Sequence, residues 1–344
     1  MRSRSRLVFA LLALFLVPTL SVRASEPSFK LQSTLKLGGD GSWDYMAVDP
    51  PAHILYIARL NRIMLVDIQS GKLVTEITGL THTHGIAFDD QGKLGYVSDG
   101  GAGTILVFDR ASYKTLATIP AGKNPDAVLF EPTQRRVLAF NGGSRDATVI
   151  DAATNSVITT IPLPGRPEFS VTDGAGNVFV NIEDLSVVLR IDAATLMTTA
   201  SWSLAPGETP SGLAIDTAGH RLFSVCDNNR MVILDSLTGK LIAAPPIGEG
   251  ADAVAFDPAH QLVFSSNGES GTLTVVRAAA PSGYDTIQTL STKLGARTLA
   301  VDPSSGTVYT VSAALGPKPP ASPSNPKRRP SILPDSFVVL AYSR

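Results

Sequence analysis

The chain has one cysteine, Cys226, in 344 residues, so it holds no intrachain disulfide. Long apolar runs are missing too. The longest, Leu7–Val17, has 11 residues, whereas a helix needs about 20 to cross a bilayer. Charge is sparse, with 17% charged against 44% hydrophobic residues; that balance excludes a disordered chain. Apolar spacing near 3.6 residues is nowhere sustained, which leaves little room for helix. Several chemical signatures are also missing. There is no G-x-S-x-G elbow, no G-x-x-x-x-G-K-[ST] phosphate loop and no C-x-x-C-H, the last excluding covalently attached haem.

The short apolar run has a role of its own. Arg2, Arg4 and Arg6 precede it, Pro18 ends it, and Val22-Arg23-Ala24 fits a small-x-small cleavage site. Residues 1–24 therefore read as a secretory signal peptide. The mature chain, 25–344, is expected in the periplasm or outside the cell as one domain with no membrane span. Without residues 1–24, which carry four arginines and no acid, 25 basic residues face 30 acids. A net acidic protein is a poor partner for nucleic acid.

Turn formers are abundant, with 29 glycines and 24 prolines, and they fall at regular intervals. An acid closes a short apolar segment at Asp49, Asp89, Glu131, Asp173, Asp216, Asp257 and Asp302, in steps of 40 to 45 residues. A second marker runs in the same period: Asp67, Asp109, Asp151, Asp192 and Asp235. Each unit reads as four short β-branched and aromatic strands; in one they are "AVAF", "LVFSSN", "TLTVV" and "DTIQTL". Four strands in about 42 residues, seven times over, predict an all-β, seven-bladed β-propeller of antiparallel blades. The last unit lacks its fourth strand, and a spare strand at 29–37 precedes the first. The spare strand is expected to complete the last blade and close the ring.

The units "NPDAVLFEPTQRRVLAFNGGSRDATVIDAATNSVITTIPLPG" and "VDPPAHILYIARLNRIMLVDIQSGKLVTEITG" resemble the YVTN-repeat, YncE-like propellers of exported bacterial proteins. The resemblance covers the mature chain and implies fold and export. It says little about activity, because propellers carry many unrelated functions.

Five residues before each acid of the first marker stand Asp44, His84, Asp126, Glu168, Ser211, Asp252 and Arg297. All are polar and six are ionisable, where an average column of seven would hold one or two. Equivalent register predicts a ring of these side chains at the mouth of the central channel. Unlike the uniform turn acids, this crown is mixed, as expected of a site for a small ligand or ion. Candidate metal ligands are His84, Asp126, Glu168 and Asp252, which suit a divalent ion. His82, two residues from His84, is a candidate second imidazole. Polar residues of the loops between second and third strands, among them Arg59, Asp99, Asn141, Asn181 and Asn267, are expected on the same face. Trp43 and Phe169 are candidate walls, although packing between blades accounts for each of them better. Buried Cys226 is expected to be inert.

Two functions fit. The first is a non-catalytic binding or interaction module for a small molecule, an ion or another protein. The alternative is a lactonase-like, metal-dependent hydrolase, with Asp126 or Glu168 as base and Arg297 as oxyanion partner. Residues 313–335 form a proline-rich loop carrying Lys318, Lys327, Arg328 and Arg329, a basic arm over an acidic crown.

Overall fold

The structure, a computed structural model, describes residues 28–278, 283–317, 319–320 and 330–344. The leader 1–24 and the four basic residues of the long loop lie outside them. Each sequence unit becomes one four-stranded antiparallel sheet, and there are seven. In the second blade, for example, strands a to d are Thr83–Phe88, Leu94–Asp99, Thr104–Asp109 and Thr115–Pro120. The one helical element among the described residues is a 3-10 turn, Glu183–Leu185.

The burial gradient explains the composition of the strands. Strand b is almost wholly buried in every blade: "ILYIAR" of the first, "RLFSVC" of the fifth and "LVFSSN" of the sixth have every residue buried. Such strands are covered on both faces and need no polar alternation. Strand d is the outer edge and is largely exposed, as in Ser156–Pro162. The buried side chains form seven clusters, one at each junction between neighbouring blades. No disulfide is required, because the ring is held by apolar contact all the way round.

Both sequence markers are turn chemistry. Asp67, Asp151, Asp192 and Asp235 each accept backbone N–H bonds from the residues two and three further on. This is the Asx-turn preference that places aspartate at turn entries. The first marker caps the neighbouring turn at the same end of the blade, where Glu131 and Asp151 both pair with Arg136: Asp89 accepts from Lys93 and Leu94, and Glu131 from Thr133 and Gln134.

The ring closes with the spare strand. Lys30–Lys36 pairs antiparallel with Val338–Ser343, so the last blade runs Leu299–Asp302, Thr307–Ser312, Val338–Ser343 and then Lys30–Lys36. Phe29 is 1% exposed. Its ring meets Phe264 edge-on at 5.1 Å, and its backbone N–H and C=O both bond the side chain of Gln288, each at 2.9 Å. Arg59 then fixes the connection into the first blade. Its fully buried guanidinium lies 3.6 Å over Phe337, and its Nη2 donates to the carbonyls of Gly39, Asp40 and Gly41. The base of the long loop is pinched by an antiparallel bridge between Leu315 and Ile332.

Candidate functional site

The crown residues owe their position to a local irregularity. In five blades the pairing of strands a and b slips beside the crown residue: between Thr83 and Ile86, Pro125 and Val128, Pro167 and Ser170, Pro210 and Leu213, and Ala251 and Ala253. A bulge re-aims the side chain that sits in it, here His84, Asp126, Glu168, Ser211 and Asp252. In the first and last blades strand a starts later, at Met46 and Leu299, and Asp44 and Arg297 enter from the preceding loop. The residue after the crown position packs against the next blade. A Cβ on Gly85 would stand 2.7 Å from the Asp126 carbonyl oxygen, and one on Gly212 would stand 2.8 Å from that of Asp252.

Six of the seven side chains share one electrostatic neighbourhood. His84 Nδ1 lies 2.5 Å from Asp44 Oδ2 and 3.7 Å from Asp126 Oδ1. Arg297 Nη1 reaches Asp44 Oδ1 at 3.2 Å and pairs with Asp252, while its Nη2 donates to the Trp43 carbonyl at 2.5 Å. Glu168 pairs with Arg166 at 3.0 Å, and Arg166 also holds Glu183 at 2.9 Å. Ser211 is the exception, its hydroxyl donating to the Ala251 carbonyl at 3.0 Å.

Two participants were not legible in the repeat. Tyr45 stands among the crown carboxylates, its ring 5.0 Å from that of Phe169. Burial first, then Asp126, Glu168, Asp44 and Asp252, raise its phenol far above the usual value. Arg166 is the other. The signal for Tyr45 is the column after the crown position, which reads Tyr45, Gly85, Ala127, Phe169, Gly212, Ala253 and Thr298. Two aromatic rings stand out there among small residues.

Charge is unevenly compensated. Burial lifts Asp44, but Arg297 and His84 outweigh it and hold the carboxyl below its usual range. Burial lowers His84, yet Asp44 and Asp126 more than restore it, leaving the imidazole above its ordinary value. Asp126 has no guanidinium of its own, and burial together with Asp44 and Asp252 pushes it to about 7 against the pull of His84. Glu168 rises to about 9, through burial first and then Asp126 and Glu183, because Arg166 is half exposed and shared. An acid raised on folding stabilises most at low pH, and that contribution is lost as pH climbs from its unfolded value near 4.5 to its folded one. Glu168→Gln is therefore expected to melt several degrees above the parent chain at about pH 9 and to lose that advantage near about pH 5. Melting curves across this range test the assignment; parallel curves would refute it.

Other expected site residues are engaged elsewhere. Asp99 accepts from the backbone of Thr81 and His82 and from the Thr81 hydroxyl. Asn141 bonds Asp146 and Thr148, Asn181 bonds the carbonyls of Ser211 and Gly212, and Asn267 bonds Thr272 and Thr274. These groups tie adjacent loops and strands together, which is why the repeat keeps them, and they add little to the crown. Trp43 packs against Phe337 between the first and last blades rather than walling the mouth. His82 is exposed, its ring 4.5 Å from that of His84. Burial raises the Cys226 thiol to about 12, so it is inert.

No protein-family model matches this chain, and no curated protein matches it. Solved structures do. A chain described as "Kuenenia stuttgartiensis Hydrazine Synthase" is similar with a TM-score of 0.69 at 15% identity, over 79% of this chain and 92% of that one. The chain in "Structure of U3-55K" is similar with a TM-score of 0.74 at 13% identity, over 92% of this chain and 99% of that one. Likeness at such identity is likeness of fold. The chain is a seven-bladed β-propeller, an architecture suited to a binding or interaction module.

Proposed function

We propose that this chain is an exported propeller of the YVTN-repeat, YncE-like kind that binds a small cation, or a small molecule bearing positive charge, at its channel mouth. One observation carries the reading. Asp44, Asp126, Glu168 and Asp252 converge there, while the two guanidiniums beside them, Arg297 and Arg166, are each already shared between two acids. The remaining negative charge is met by protons, on His84 and on the raised carboxyls of Asp126 and Glu168. A cation fits where those protons are. Among the described residues of the mouth, an anion finds no free guanidinium.

The hydrolase alternative is not favoured. Arg297, its oxyanion partner, spends its donors on Asp44, Asp252 and the Trp43 carbonyl. Export rests on the leader at 1–24, and cell fractionation tests it. Binding is tested by the melting temperature of the chain with divalent metal ions, organic ammonium ions and organic carboxylates. Cations are expected to raise it and carboxylates to leave it unchanged. A rise with carboxylates alone would overturn the reading.

A further inference from the structure

The crown is not uniform: one corner of it has the donor set and spacing of a metal site. Asp44, His84 and Asp126 each offer one ligand atom, and these atoms lie within 4.8 Å of one another. We infer that Asp44, His84 and Asp126 bind a divalent transition-type ion such as Zn²⁺ or Co²⁺, an inference that rests on the cation-binding reading above and names its ligand.

Three features support it. The first is distance. A tetrahedral ion about 2.0–2.2 Å from each ligand needs ligand atoms about 3.3 Å apart. The separations from His84 Nδ1, 2.5 Å to Asp44 and 3.7 Å to Asp126, bracket that value. The ion takes the place of the proton on Nδ1, and small side-chain shifts suffice. The second is donor chemistry. One imidazole and two carboxylates leave a fourth position open, as in mononuclear sites that bind water or a ligand. Ca²⁺ takes six to eight oxygens, and this corner lacks them. The third is support behind the ligands. Arg297 holds the far oxygen of Asp44 at 3.2 Å, the orienting contact that ligating carboxylates usually have. His84 is 8% exposed, and its Nε2 is buried without a partner. That nitrogen faces the space left by Gly100: a Cβ there would stand 2.8 Å from His84 Nε2 and 2.7 Å from Asn124 Oδ1. The missing side chain leaves the ring room to turn its Nε2–H toward Asn124 when Nδ1 takes the metal.

The test uses the full chain after dialysis against chelator. Titration with Zn²⁺ is expected to give one tight site, and Co²⁺ a visible ligand-field band displaced by Zn²⁺. His84→Asn and Asp44→Asn are expected to weaken binding at least tenfold to a hundredfold and to abolish the band. Gly100→Ala, outside the ligand set, is expected to shift the band by crowding the ring. His82→Asn is expected to leave it in place. Circular dichroism melts confirm that each variant is folded, and the band of the unmutated chain stands independently of them. If Co²⁺ gives no band, or the band survives His84→Asn, the metal site is refuted. In that event a melting rise with organic ammonium ions or Ca²⁺ would leave the broader cation reading standing, and no rise with any cation would remove both.

Discussion

Arg297→Met is expected to lower the melting temperature by about 5–8 °C at about pH 8, the equivalent of roughly 3–5 kcal/mol for breaking a buried ion pair in a chain of this size. Arg297 is the one guanidinium between Asp44 and Asp252, and it also satisfies the Trp43 carbonyl. Without it two carboxylates face each other across a partly desolvated mouth. Asp252 remains a third exposed, so water softens its share of the loss. The pH dependence has a definite sign. Asp44 is held below its ordinary value, burial notwithstanding, by Arg297 and His84. Its contribution is therefore present above about pH 4 and fades as pH falls further. The variant's deficit should be large in neutral and alkaline solution and shrink only as pH falls well below about 4. A double variant, Arg297→Met with Asp252→Asn, should recover part of it, because one of the stranded charges is gone. Equal deficits at both ends of the pH range would show that Arg297 acts by packing alone.

Removing residues up to Leu37 is expected to abolish cooperative melting and drive the chain into oligomers. The truncated chain loses the strand Lys30–Lys36 and with it six paired positions on the edge of Val338–Ser343. It also loses Phe29, whose burial against Phe264 is worth about 3–5 kcal/mol by analogy with core aromatic truncations. An unpaired edge strand invites pairing with another copy. Size-exclusion chromatography and thermal melts read both effects. A truncated monomer melting within a few degrees of the parent would show that the ring does not depend on its closing strand.

The fold was legible because its cause is periodic. Turn acids such as Asp67 and Asp235 recur because the same backbone N–H groups must be met in every blade. The crown was legible through register, since five residues before a fixed turn is a fixed place in a repeating sheet. What register cannot show is which neighbours a re-aimed side chain meets. Ser211 occupies the column yet bonds a backbone carbonyl. Asp44 was counted in the crown but not among the metal candidates, although it lies nearer His84 than Asp126 does. Glu168 and Asp252 were candidate ligands, and register gave no sign that they pair with Arg166 and Arg297. Arg166 stands two residues before Glu168, where the other units carry Ser42, His82, Asn124, Thr209, Gly250 and Gly295, so no pattern pointed to it.

The closing strand has a mechanical consequence. Lys30 lies opposite Ser343, so the two ends of the domain leave from the same corner of one sheet. A pull on both ends would load a single ladder, and would peel it one rung at a time rather than shear all rungs together. Tension would open the seam first and leave the other six blades folded until it parted.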